Sequence, residues 1–231
     1  MQIVIQNLTK KIRGTIVLND ISVTFNDSKI YGLSGKNGSG KTMLMRSICG
    51  LIRPNSGFIK IDNKTLGKDM SFPPSIGILI ENPSFIPKYT GFKNLKLLAS
   101  IQNKINDNDI KDTLKEVGLD PEDKRTYRKY SLGMKQRLGI ACALMEKPDI
   151  ILLDEPINAL DEAGIKLIKA LLLKARSRGA IVIISCHDKE ELEYLSDEIY
   201  YLSEGKIIDC KVLEKCTTET SNNQNAIESA E

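Results

Sequence analysis

No apolar run in this chain is long enough to cross a membrane. The longest aliphatic stretches, IILL and AIVII, fall far short of the roughly 20 residues that a spanning helix needs. The N-terminal MQIVIQNLTKK also lacks an apolar core of signal-peptide length, so any membrane role is expected to run through a partner. A charge excess is missing too: 33 Lys and Arg stand against 30 Asp and Glu, interspersed along the chain, for a net charge of +3. That balance reads as a solvated surface, and no nucleic-acid partner is expected from it. The five cysteines, at 49, 142, 186, 210 and 216, form no CxxC pair, and their odd number fits a reducing compartment better than a disulfide framework. Cys49, Cys142 and Cys186 lie in apolar surroundings and read as small core residues. Histidine is nearly absent, so any imidazole chemistry falls to His187 alone.

What is present is enough apolar sequence for a core, arranged as strands and helices. With 231 residues, 41% of them hydrophobic, the chain can bury the core of one domain with room for a subdomain. IVIQNL (3–8), ISVTF (21–25), KIYGLSG (29–35) and GFIKID (57–62) carry the alternating or continuous apolar patterns of strands. TMLMRSICGL (42–51) has helical spacing and is ended by Gly50 and Pro54. From about 86 to 146 the pattern turns helical, in KNLKLLASIQ, DIKDTLKEVG and LGMKQRLGIACALM. DIILLD (149–154) and AIVIIS (180–185) are strands of the fully buried kind, with the amphipathic AGIKLIKALLLKARSR between them. EIYYLSEGKIID (198–209) reads as a hairpin turned at Glu204 and Gly205. Residues 214–231 are polar and short of large apolar side chains, which predicts a flexible tail after a domain of 1–213.

GKNGSGKT (35–42) lies between a strand and a helix, the context that a phosphate-binding loop requires. Gly35, Gly38 and Gly40, spaced by Lys36, Asn37 and Ser39, let backbone N–H groups crowd around phosphate oxygens without Cβ clashes. Lys41 is placed to reach the β- and γ-phosphates and Thr42 to offer its hydroxyl to Mg²⁺, while the following helix adds its positive N-terminal end. Nucleotide binding follows. In IILLDE (150–155), adjacent residues of a strand point to opposite sides, so Asp154 and Glu155 cannot share one task. Asp154 is expected to hold Mg²⁺ through its water shell, and Glu155 to polarise the attacking water. His187 follows AIVIISC, at a strand end of the kind that faces the ligand crevice in such sheets. Beside a γ-phosphate its imidazole can donate a hydrogen bond and hold the geometry of water and Glu155. Each of these has a plainer reading when taken alone, a surface acid pair or a structural histidine.

Taken in order, these residues resemble the ATP-binding subunit of an ABC transporter over roughly residues 1–210. GKNGSGKT matches Walker A, IILLDEP Walker B, INALD (157–161) the D-loop and SCHD the switch histidine. The resemblance implies an α/β fold: a P-loop NTPase core, an N-terminal antiparallel β-subdomain, and a helical subdomain that agrees with the run at 86–146. It implies ATP and Mg²⁺ as ligands, and a second ATPase domain, identical or not, clamped head-to-tail around two ATP molecules. A transmembrane permease partner is also implied, placing the subunit peripherally on the cytoplasmic face of the cell membrane.

Three positions depart from the family's commonest pattern. YSLGMKQR (130–137) stands where the family keeps LSGGQ; Leu132 and Met134 replace a glycine and a glutamine. Ser131 and Gly133 retain the hydroxyl and the N–H that in the family touch the γ-phosphate bound to the opposite subunit. In IGILIENPSF (76–85) Glu81 replaces the glutamine of the Q-loop, which puts a charged, harder ligand beside Mg²⁺. Ile12 falls where an aromatic normally stacks on adenine, so purine discrimination is expected to be loose. GLSGKNGSGKT, IENPSF and YSLGMKQRLGIA together are most similar to ATPases of export or self-protection systems for peptide antibiotics of the lantibiotic and bacitracin kind. Phe85, Ile86, Tyr89 and Phe92 either line a groove for a permease helix or pack the helical subdomain. Two other functions stand beside transport. One is a soluble ABC ATPase acting on ribosomes or DNA, which usually carries tandem domains, a coiled-coil insertion or basic arms. The other is a regulatory subunit that binds ATP and hardly turns over, against which Glu155 and His187 count.

Overall fold

The computed structural model describes residues 1–81 and 83–213; the polar stretch from 214, read above as a flexible tail, lies outside them. The first two strands, β1 (Gln2–Ile12) and β2 (Thr15–Asn26), run well beyond the apolar segments that announce them. Their turn explains the extra length. Arg13 and Gly14 take φ of 49° and 86°, the two left-handed residues of a two-residue hairpin loop, so Ile12 pairs directly with Thr15. After β3 (Lys29–Ser34) and α1 (Lys41–Ile48), the strands β4 (Ser56–Ile61) and β5 (Lys64–Thr65) complete an antiparallel sheet ordered β2-β1-β4-β5.

The second sheet builds the site. It adds β6 (Ile76–Leu79), β7 (Ile150–Asp154), β8 (Ile181–Ser185), β9 (Glu198–Ser203) and β10 (Lys206–Val212) in the order β10-β9-β3-β8-β7-β6. All its neighbours pair in parallel except the β9–β10 hairpin, whose Ser203 faces Lys206 across the Glu204–Gly205 turn. Every residue of β7 and β8 is buried, as expected of interior strands covered on both faces. In register, Leu33 pairs with Ser185 and Ser185 with Asp154. The carboxyl ends of β3, β8 and β7 therefore open side by side at one edge, where ligands bind such sheets.

One face of this sheet joins the antiparallel sheet and α1 around Phe25, Tyr31, Leu44 and Ile48. The other joins the helical region around Leu95, Leu114, Leu138 and Leu172. That region holds α2 (Gly91–Gln102), α3 (Asp107–Glu116) and α4 (Leu132–Leu144). α2 starts at Thr90, whose hydroxyl accepts from Lys93 N; α3 carries a reciprocal capping box between Asn106 and Asp109. Two helices follow: α5 (Glu162–Ser177) links β7 to β8, and α6 (Lys189–Leu195) precedes β9. Among the described residues no helix is long and apolar enough to cross a membrane. Cys49 and Cys186 are buried and Cys142 is half-buried, all three free. Burial pushes the thiols of Cys142 and Cys186 up to about 11, which makes them inert small core residues.

Candidate functional site

The loop between β3 and α1 is shaped by Gly40, whose φ of 111° lies in the left-handed region and whose missing Cβ would sit 3.0 Å from the carbonyl oxygen of Val17. Gly40 caps α1 without any side-chain hydrogen bond, and the first turn carries no acid. The N–H groups at that helix start are thus left for an anion. Lys41 is buried, and its ammonium donates to the carbonyls of Gly35 (2.6 Å) and Lys36 (3.3 Å). Thr42 Oγ1 donates to Asp154 Oδ2 at 2.7 Å, and Ser185 Oγ donates to Asp154 Oδ1. Threonine, aspartate and serine come from α1, β7 and β8, three elements that meet only because of the strand order.

Glu155 leaves β7 with φ of 54°. Its N–H donates to Ser185 O (3.2 Å) and Oγ (3.1 Å), and its carbonyl accepts from Gln136 Nε2 at 2.8 Å. In its side chain, Oε1 lies 3.1 Å from His187 Nε2, while Oε2 is buried without a partner. Burial raises the Glu155 pKa above the ordinary carboxylate value, opposed by His187 and reinforced by Asp154. A carboxylate with a proton affinity moved toward neutrality and one unengaged oxygen is chemically suited to take a proton. The cleft that collects these groups has a volume of about 440 Å³ and is lined by Asn37 to Thr42, Glu81, Gln136, Asp154, Glu155 and His187. That size suits a small-molecule ligand.

Of the remaining expected site residues, Ser131, Gly133 and Ile12 lie apart from this cleft. Ser131 is the N-cap of α4, its hydroxyl accepting from Met134 N at 3.2 Å. With Gly133 it lines a second cavity of about 590 Å³, and no residue lining the first cleft lines this one. Glu81 lines the first cleft, yet its carboxylate is 64% exposed and pairs with Arg46 Nη2 at 2.5 Å. Ile12 sits exposed beside the hairpin turn, outside the residues that line the cleft; β2 reaches the cleft instead, through Val17. Of the aromatic segment, Phe85 stacks edge-on against Tyr127 with ring centroids 5.3 Å apart. It also lines a third, largely apolar hollow of about 410 Å³ with Ile78, Ile80, Leu98 and Arg46. Phe92 packs against the core, whereas Ile86 and Tyr89 are exposed. Sequence reasoning did not single out Ser185, and it noted Gln136 only as a retained residue of YSLGMKQR. Their position at a strand end and inside YSLGMKQR was the available signal, but nothing local announces which backbone group they touch.

The ABC transporter family matches residues 18–158. An uncharacterized ABC transporter ATP-binding protein, YybJ of Bacillus subtilis (strain 168), is 50% identical over 201 residues, 87% of this chain and 92% of that protein. Bacitracin transport ATP-binding protein BcrA of Enterococcus faecalis is 38% identical, covering 88% of this chain and 67% of its own. Lantibiotic transport ATP-binding protein SrtF of Streptococcus pyogenes is 36% identical over 88% of each chain. A solved dimeric ATP-binding cassette, in a post-hydrolysis state with ADP and phosphate, superimposes with a TM-score of 0.80 at 24% identity, over 93% of this chain and 100% of that one. The chain belongs to the ATP-binding subunits of ABC transporters, and its activity is ATP hydrolysis.

Proposed function

We propose that this subunit energises a membrane exporter of peptide antibiotic or drug-like cargo, hydrolysing ATP in sites shared between two ATPase domains. The observation that carries the hydrolytic part is the unpartnered, buried Oε2 of Glu155 beside His187. In this reading Glu155 is the general base for the attacking water, and His187 fixes the carboxylate while its ring faces the γ-phosphate. The loop Gly35–Thr42, with Lys36, Asn37, Gly38, Ser39 and Gly40, cradles the phosphates, and the Lys41 ammonium exchanges loop carbonyls for phosphate oxygens. Ile12 is the apolar side chain that the hairpin tip offers to adenine. Residues 1–213 form the ATP-binding domain, with 86–146 as its helical subdomain.

Mg²⁺ fits the donor set. Thr42 and Asp154 already converge at 2.7 Å, and Glu81 lines the same cleft. Such an oxygen-poor set is the kind Mg²⁺ uses when phosphates and waters complete its shell. When bound, the ion would neutralise charge on the transferring phosphoryl group.

Ser131 and Gly133 face the nucleotide of a second copy in this reading, which accounts for their separate cavity. The apolar hollow beside Phe85 receives the permease, placing the subunit peripherally on the cytoplasmic face of the membrane. The likeness to bacitracin- and lantibiotic-transport subunits supports the cargo class. A mixing experiment tests the shared site. Ser131→Arg and Lys41→Ala should each inactivate a homodimer. Their mixture contains dimers in which one site is wholly intact, so ATP-driven closure and single-turnover hydrolysis should return. No rescue in a demonstrably mixed dimer would remove the trans-acting signature. Co-purification with a hydrophobic membrane protein supports transport, and co-purification with ribosomal proteins would overturn it.

A further inference from the structure

We propose that Gln136 is a positioning residue for Glu155, and that through it the signature helix α4 is coupled to the carboxylate of its own chain. The inference rests on the reading of Glu155 as the general base. It starts from the backbone. A non-glycine residue in the left-handed region costs roughly 1–2 kcal/mol, and such strain persists only where the surroundings over-determine it. Glu155, at φ 54°, is held from both sides. Ser185 takes its N–H with two oxygens, and its carbonyl takes the Gln136 amide at 2.8 Å and, more weakly, Asn158 N at 3.3 Å. That backbone angle sets the direction in which the side chain leaves, and hence whether Oε1 meets His187. Gln136 is only 8% exposed. It lines the nucleotide cleft, yet its amide is committed to a peptide carbonyl.

Gln136 is also one of three grips that α4 has on the segment after β7. Gly133 lies so close to the segment that a Cβ there would sit 2.8 Å from the Ala159 carbonyl oxygen. Arg137 Nη2 donates to Asp161 Oδ1 at 3.1 Å. The segment 155–161 is therefore hydrogen-bonded to α4 at its beginning and end and packed closely against it in the middle. The Ser131 end of α4 lines the second cavity, so any displacement of α4 by a ligand there reaches the Glu155 carbonyl through the Gln136 hydrogen bond.

The test uses the full-length protein, with hydrolysis expressed per ATP-binding site measured by titration with a fluorescent ATP analogue, which discounts any unfolded fraction. Gln136→Met keeps the volume and removes the donor; Gln136→Glu keeps the shape and donates only when protonated. Both should lower kcat by about tenfold, the loss of one buried hydrogen bond to the backbone that aims the base, with KM for ATP unchanged within about twofold. The ratio of Gln136→Glu to wild type should rise as pH falls, while that of Gln136→Met stays flat. A raised KM at normal kcat would overturn the tether and make Gln136 a nucleotide contact. So would equal pH behaviour of the two variants, which is what a merely structural role gives. Normal turnover in Gln136→Met beside an inactive Glu155→Gln removes the tether alone. Normal turnover in Glu155→Gln removes the base assignment and the tether together.

Discussion

Replacing Glu155 with glutamine should stop turnover and stabilise the fold at the same time. The side chain is 19% exposed, Oε2 has no partner, and burial holds the carboxyl above its ordinary pKa. A buried polar atom without a hydrogen bond costs about 1–3 kcal/mol, more when charged. The contact with His187, whose ring is 51% exposed, returns at most about 1 kcal/mol. The amide keeps an unpartnered polar atom there and sheds only the charged excess of that cost, so it should gain on the order of 1 kcal/mol at neutral pH, or about 2–4 °C in Tm for a chain of this size. The pH dependence fixes the sign. Because the folded pKa is raised, the contribution of Glu155 to stability is fully present below the pKa of the unfolded chain. It is lost as pH rises through the folded value. The wild type suffers that loss and the variant does not. Thermal unfolding of both proteins at pH 7.5 and at pH 5 should show a Tm advantage for Glu155→Gln that shrinks in acid, and steady-state ATP hydrolysis should fall below a tenth of wild type. A variant less stable at both pH values would refute the claim that Oε2 is a liability held for function. Turnover above a tenth would place the base elsewhere.

Ile12→Tyr should tighten ATP binding and leave maximal turnover nearly unchanged, since a ring over adenine acts equally on ground and transition states; an unchanged dissociation constant would show that the hairpin tip does not reach the base. Arg46→Gln releases Glu81 from its 2.5 Å pair at little cost in stability, because exposed pairs contribute at most about 1 kcal/mol. It should lower the Mg²⁺ concentration needed for half-maximal hydrolysis. The same shift in an Arg46→Gln, Glu81→Gln double variant would mean that Glu81 is not the group being released.

The parts legible in the sequence are those whose cause is local. Five-residue apolar strands ending in a serine or an aspartate announced β7 and β8, and their burial on both faces is what a continuous apolar run encodes. The glycine spacing of the loop and the Glu204–Gly205 turn were likewise visible, because each depends on backbone angles that neighbouring residues cannot supply. What escaped was short or long-range. β5 has two residues and β6 four, too few to show a period. α6, charged over most of its length, hides its apolar contacts in Leu192 and Leu195. The lengthening of β1 and β2 comes from the Arg13–Gly14 turn rather than from apolar pattern. Within the site, the pairing of Thr42 with Asp154 spans 112 residues and that of Gln136 with Glu155 joins a helix to a strand end. The residue types of Thr42, Asp154 and Glu155 suggested a shared site; only the strand order supplied the contacts. The Arg46–Glu81 pair had no signal in sequence, since a single arginine on α1 has many exposed acids within reach.

The arrangement also explains why one chain would not suffice for the proposed chemistry. Two helices present their positive ends to open space, α1 at the glycine loop and α4 at Ser131, yet they line different cavities with no residue in common. In the proposed reading, the phosphates held at the first helix end are also met by a second one. The second positive end cannot swing over to them without breaking the two hydrogen bonds between α4 and residues 155–161, one of which reaches the Glu155 carbonyl. Because α4 and residues 155–161 are held together in this way, the proposed reading takes the second helix end from another copy. In the proposed head-to-tail pair this happens twice over, each copy offering its α4 to the other's phosphates. If Gln136 positions Glu155 as proposed, each copy's own base would in the same contact become sensitive to whether its partner has nucleotide to hold.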